Sequence, residues 1–173
     1  MSNFQLLPYK RIEEHFADQF DIPLSAGSIY NFNKEVYERL APFEDWVKRE
    51  LAKALLLHAD ETGINIGGKR KWLHVVCSAT LTLLMPHEKR GGEAMATMGV
   101  LPEYTGTLVH DHWKPYDQLP CYHALCNAHH LRELERAWEQ DQQQWAKQTQ
   151  ALLVEINKAV DAAGGVLNTP EAK

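Results

Sequence analysis

The sequence predicts an α/β fold: a mixed sheet with flanking helices, preceded by an N-terminal helical segment and followed by a C-terminal one. Three observations carry that prediction. Apolar residues recur at helical spacing up to residue 51, short apolar runs of strand character crowd residues 55–111, and helical spacing returns from Asn127. A period that changes from about 3.6 to 2 and back excludes an all-helical bundle. The expected organisation is a helical lead-in over 1–54, a core over 55–126, a helical segment over 127–163 and a flexible tail over 164–173.

Taken in order, Tyr9, Ile12, Phe16 and Phe20 define a first helix, and "DIPLSAGS" breaks it, with Pro23 fixing a turn and Ser25 or Ser28 free to cap the next. Ile29, Phe32, Val36 and Leu40 define a second helix; Phe43, Trp46, Val47 and Leu51 define a third. Helix, short turn, helix reads either as a DNA-contacting helix-turn-helix or as a packing hairpin. Lys34 and Arg39 against Glu35 and Glu38 give the would-be reading helix a weak basic face. "LLLHAD" (55–60) reads as a buried strand that ends on Asp60. "KWLHVVCS" (71–78) and "LTLLMPHE" (81–88) read as two further strands, the first entered from a turn at Gly67-Gly68. "GGEAMATMG" is a short helix between glycines, and "GTLVHD" (106–111) is a fourth strand ending on Asp111. The expected pairing is an antiparallel hairpin over 71–88 beside the Leu55 strand, with the Gly106 strand parallel to the latter. From Asn127 the stripe of Leu131, Leu134, Trp138, Trp145, Leu152, Ile156 and Val160 predicts one long helix or two shorter ones, since "EQDQQQ" weakens its middle.

Composition narrows the class. An apolar share of 45% is ample for a core, and no apolar run approaches the roughly 18–20 residues of a membrane span. Charged residues in the first turns argue against a signal peptide, and three cysteines against a disulfide framework, so a reducing cytoplasm is expected. A net charge of −5 does not advertise a nucleic-acid binder, although phosphate contact needs only a local basic face.

The chemistry rests on Asp60 and Asp111, each following an apolar strand, with a hairpin and a helix between them. Parallel neighbouring strands would deliver both carboxylates to one cleft, about 4–8 Å apart, close enough to share metal. Two ionised carboxylates repel unless a cation sits between them, and Mg²⁺ suits such hard oxygen ligands. Singly, each Asp reads more simply as a turn or cap residue, and the pair on matched strands brings the metal reading level with it.

The blocks "HADETGINIGGKRKWLHVV", "GTLVHDHWKPYDQL" and "CYHALCNAHHLREL" resemble successive blocks of the insertion-sequence-66 family of bacterial transposases, as does the helical lead-in from "LLPYKRIEEHFADQF"; the likeness covers about residues 6–138. The ordered set is specific: Lys71-Trp72, Asp111 with Tyr116-Asp117, and Cys126-x-x-His129-x-x-Arg132. The resemblance implies an RNase H-like core. It assigns Asp60 and Asp111 as the first two acids of a catalytic triad and as metal ligands, Mg²⁺ or Mn²⁺ as cofactor, and DNA ends and target as partners. It also implies self-association in a full-length protein and DNA strand cleavage and transfer as activity. Two departures stand out. Asp111-His112-Trp113 replaces the usual Asp-Gly-Tyr, and no Asn-x-x-Glu-Arg motif supplies the third acid. Glu133, Glu135 and Glu139 come too soon and lack its neighbours, so the chain is expected to be part of a broken or excised transposase. A non-catalytic remnant that binds DNA or a partner, and a metal-dependent nuclease of the same broad fold, are the rival readings.

Cys121, His123, Cys126, His129 and His130 fall within ten residues. Cys126-x-x-His129 has the spacing of half a zinc site, Cys121-x-His123 is a poor second half, and buried packing at a helix start is the simpler reading. Lys69, Arg70 and Lys71, with Lys89 and Arg90, read either as DNA backbone contacts or as solvated turns, and Arg132 as a phosphate ligand or an exposed charge.

Overall fold

The computed structural model describes residues 1–165 and divides into two compact units, Met1–Glu50 and the chain from Leu51 onward. In the first unit, α1 (Tyr9–Phe20) and α2 (Ala26–Arg39) are followed by α3 (Ala41–Ala52), which runs into the second unit. Ser25 caps α2 as expected, its hydroxyl accepting the Ser28 N–H at 3.1 Å. Asn33 ties α2 to α1 by donating to the Tyr9 hydroxyl at 3.1 Å. Of the expected apolar stripe on α2 only Ile29 is buried, while Phe32, Val36 and Leu40 are at least half exposed. Helical period is thus right there, but it does not report burial.

The second unit holds a five-stranded sheet in the order β3-β2-β1-β4-β5. Its elements are β1 (Leu56–Ile66), β2 (Lys69–Cys77), β3 (Thr82–His87), α4 (Gly92–Met98), β4 (Thr107–His110), β5 (Tyr122–Leu125), α5 (Asn127–Asp141) and α6 (Gln144–Ala162). β1 pairs antiparallel with β2, and β2 with β3; β4 runs parallel to β1, and β5 to β4. This is the mixed sheet and the hairpin that the strand patterns predict. Two features were not anticipated. β1 does not end at Asp60 but continues six residues to Ile66, because residues 61–66 pair rung by rung with β2 up to a two-residue turn at Gly67-Gly68. Both glycines have positive φ (60° and 77°), the geometry of the primed hairpin turn that suits twisted strands. β5 is the second surprise, a four-residue edge strand with a mostly exposed surface.

Leu57, Ala59 and Glu61 of β1, His74 and Val76 of β2, Leu83 of β3, and Leu108 and His110 of β4 share one buried face of the sheet. Leu57 and Leu108, opposite each other and fully enclosed, each contribute on the order of 1.5–3 kcal/mol by burial. Met95, Met98, Val100, Leu101 and Tyr104 extend the core beyond the sheet. The C-terminal stripe forms two helices, not one. The break falls in the predicted weak stretch, where Gln142 adopts a left-handed conformation (φ 52°) and caps α5. Gln150 of α6 reaches back to the Leu131 carbonyl and the Glu135 carboxylate of α5. The expected tail lies, apart from Gly164 and Gly165, outside the described residues.

Candidate active site

Strand lengths build the site. β1 pairs with β4 only through Leu56–His58, opposite Thr107–Val109. The last shared rung is His58 and Val109, so Asp60 and Asp111 each stand two residues past it, Asp60 still within β1 and Asp111 just after β4. The β4–β5 register sets Asp111 level with Cys126, whose N–H donates to the His110 carbonyl at 2.9 Å and leads into α5. Asp60 shares its face of β1 with His58, opposite the buried Leu57, Ala59 and Glu61. Its Oδ1 accepts the Glu61 N–H at 2.8 Å, and its Oδ2 lies 3.9 Å from His129 Nε2. Asp111 Oδ1 accepts the Trp113 N–H at 3.1 Å, and Oδ2 lies 4.0 Å from Arg90 Nη2.

His129 and Cys126 link the two carboxylates. Both line a cavity of about 210 Å³ with His58, Asp60, Val75 and Cys77, and both also line a tighter cleft with Asp111, His112, His130 and Glu133. His129 Nδ1 is buried and has no hydrogen-bond partner.

Behind this pair lies a buried ionic group that sequence reasoning missed. The Glu61 side chain is fully enclosed. It accepts from Arg90 Nε at 2.7 Å, with Arg90 Nη2 in ion-pair contact at 2.6 Å, and from the Tyr116 hydroxyl at 2.6 Å. The Arg90 guanidinium sits 4.0 Å over the Trp113 ring and 5.0 Å from that of Trp72. Burial, then the hydrogen bond to Glu61, pushes the Tyr116 hydroxyl far above its ordinary pKa, so it remains a donor. Arg90 is therefore neither a solvated turn residue nor an outward DNA contact; it is held inward by Glu61. Of the other basic residues, Lys71 pairs with Glu88, and Lys89 pairs with Glu93 at 2.7 Å. The Arg70 guanidinium lies 5.0 Å from the Trp72 ring, and Arg132 is exposed.

Cys126 and His129 share a cavity wall, but among the described residues no third donor joins them within ligand distance. The group that does converge is His110, Asp117 and His123, whose donor atoms lie within 4.8 Å of one another. Sequence spacing could not show it, because it depends on β4 lying beside the unanticipated β5.

A five-stranded mixed sheet in the order 3-2-1-4-5 with flanking helices fits an RNase H-like domain of the α/β class. The model of the Transposase IS66 family matches residues 2–172, nearly the whole sequence, and the chain belongs to that family. No curated protein matches it. Among the described residues no helix is long and apolar enough to cross a membrane.

Proposed function

We propose that the chain acts on DNA as a catalytic domain of a transposase, with Asp60 and Asp111 as ligands of a divalent cation, Mg²⁺ or Mn²⁺. The observation that supports this reading is the parallel pairing of β1 with β4, which brings Asp60 and Asp111 each two residues past the last shared rung, with His129 beside Asp60. The donor set fits such an ion. Carboxylate oxygens are the hard ligands it takes, and Asp60 Oδ2 faces His129 Nε2 across a gap too long for a hydrogen bond, which leaves that oxygen available to the ion. When bound, the cation supplies an activated nucleophile and neutralises charge on the leaving oxygen of a phosphodiester.

The chain's own residues do the positioning. Backbone N–H groups of Glu61 and Trp113 each hold one oxygen of Asp60 and Asp111, which fixes the carboxylate planes. Arg90, locked by Glu61, offsets part of the Asp111 charge from 4.0 Å. Lys69 and Arg70 at the hairpin end, with Arg132, offer exposed positive charge to a phosphate backbone. In this reading residues 55–126 are the core, 1–54 and 127–163 flank it, and the working protein associates with further copies. Two carboxylates hold one cation and a second needs another acidic ligand, so no joining of ends is expected from Asp60 and Asp111 alone.

Two measurements test this: Mn²⁺ binding by paramagnetic resonance, and nicking against joining of pre-cut element ends. Asp60→Asn and Asp111→Asn should each weaken Mn²⁺ at least about tenfold. Unchanged affinity in both variants would sink the metal assignment. Joining lost in Asp60→Asn would show that a third ligand is present, and Glu133, which shares a cleft with Asp111, is then the first residue to replace. DNA binding without nicking would favour a non-catalytic module, and nicking without preference for element ends would favour a nuclease.

A further inference from the structure

We propose that His110, Asp117 and His123 form a binding site for a borderline divalent transition metal of the zinc class, on the opposite face of the sheet from Asp60. The fold creates the convergence. β4 and β5 are parallel neighbours in which His123 stands opposite Leu108 and His110 opposite Leu125. His110 and His123 are therefore diagonal neighbours on one face. The one-turn 3-10 helix Tyr116–Gln118 brings Asp117 to them. The Tyr116 ring lies against the His110 ring, with centroids 4.9 Å apart, and helps to fix its plane.

The hydrogen bonds of the two rings decide what stands between them. His110 Nδ1 meets the backbone carbonyl of Asp111, and His123 Nε2 meets that of Leu119 at 3.3 Å. A carbonyl oxygen only accepts, so each of these nitrogens carries the hydrogen. In a neutral ring the other nitrogen then bears a bare lone pair. Those two nitrogens, His110 Nε2 and His123 Nδ1, face each other at 3.0 Å. Two lone pairs at that separation repel unless a proton or a metal ion lies between them. An imidazole whose far N–H is held by a carbonyl is the usual arrangement around a bound metal.

Ligand chemistry then selects the ion. Two imidazole nitrogens and a carboxylate suit zinc or its neighbours, and do not suit Mg²⁺, which demands oxygen. At Zn–N distances of about 2.0–2.1 Å, tetrahedral ligand nitrogens lie about 3.3 Å apart, so the rings need part by only a few tenths of an ångström. His110 is buried while Asp117 and His123 are exposed, so the ion enters from solvent and keeps a position for water. The bound ion ties β4, β5 and the intervening turn together immediately behind Asp111.

The test is titration of the chelator-treated full chain with Zn²⁺ by calorimetry, and with Co²⁺ by visible absorption. One equivalent should bind, with the absorption of a tetrahedral cobalt centre and no thiolate charge-transfer band. His123→Ala and Asp117→Asn, both at exposed positions, should each weaken Zn²⁺ at least about tenfold with the far-UV circular dichroism unchanged. Asp60→Asn should leave Zn²⁺ affinity as it is, which separates this site from the Mg²⁺ or Mn²⁺ site. Failure of the wild-type chain to bind Zn²⁺ would overturn the proposal and leave a proton between the rings. Full affinity in both variants, or a thiolate band from Cys126, would overturn it equally.

Discussion

Replacing Tyr116 by Phe removes one oxygen from a closed group and leaves the ring in place. The lost interaction is a 2.6 Å hydrogen bond from the hydroxyl to a Glu61 carboxylate that has no contact with solvent. Hydrogen bonds to charged groups contribute about 1.5–3 kcal/mol. Glu61 keeps both Arg90 contacts in the variant, so its charge is not stranded, and the expected loss lies near ~2 kcal/mol. For a chain of this size that lowers the melting temperature by about 4–8 °C. Urea unfolding followed by tryptophan fluorescence should show a lower midpoint at an unchanged slope. Trp72 and Trp113, both beside Arg90, place the probe at the perturbation. A double-mutant cycle with Glu61→Gln completes the test, because Tyr116→Phe should cost at least ~0.5 kcal/mol less in that background. A loss under ~0.5 kcal/mol in the wild-type chain, or an equal loss in both backgrounds, would refute the reasoning.

Two further outcomes follow from the same core. Gly106→Ala should destabilise by about 1–3 kcal/mol in the same assay, because a Cβ there collides with the buried Tyr104 ring and comes within 2.9 Å of the Ala54 carbonyl. A wild-type midpoint would show that the ring moves freely. At alkaline pH, Tyr116, raised far by burial, should ionise only as the chain unfolds, and burial raises Tyr104 in the same direction. A folded pKa above the unfolded value of about 10 gives stability that is complete below pH ~10 and is lost as the pH rises beyond it. The last part of the tyrosinate absorbance should therefore appear only with the loss of circular dichroism, and smooth titration of all six tyrosines in a folded chain would contradict this.

Pattern alone reveals the strands that carry apolar runs, and their pairing follows from the hairpin and the crossover through α4. The outer half of β1 is hidden because Thr62, Gly63 and Asn65 interrupt any apolar alternation; cross-strand bonds to β2 make it a strand, not burial. β5 is hidden because four residues at a sheet edge need little hydrophobicity. Glu61 looks like an ordinary surface acid beside Asp60. Its enclosure depends on Arg90 and Tyr116, 29 and 55 residues away, and no local window contains those partners. Arg90 reads as a DNA contact or a solvated turn residue for the same reason.

The two-residue period of β1 bears on how such a chain can vary by insertion and deletion. Asp60 and Glu61 are adjacent acids on opposite faces, one beside His129 and the other sealed against Arg90 and Tyr116. One residue gained or lost between Leu57 and Asp60 would send each acid to the other's side, an error that no change of side chain at either position repairs. Length change at Gly67-Gly68 leaves both acids on their faces, since the turn lies beyond the last rung at Ile66 and Lys69. Related chains can therefore differ in length at the hairpin tip, while the stretch around Asp60 and Glu61 must keep its count.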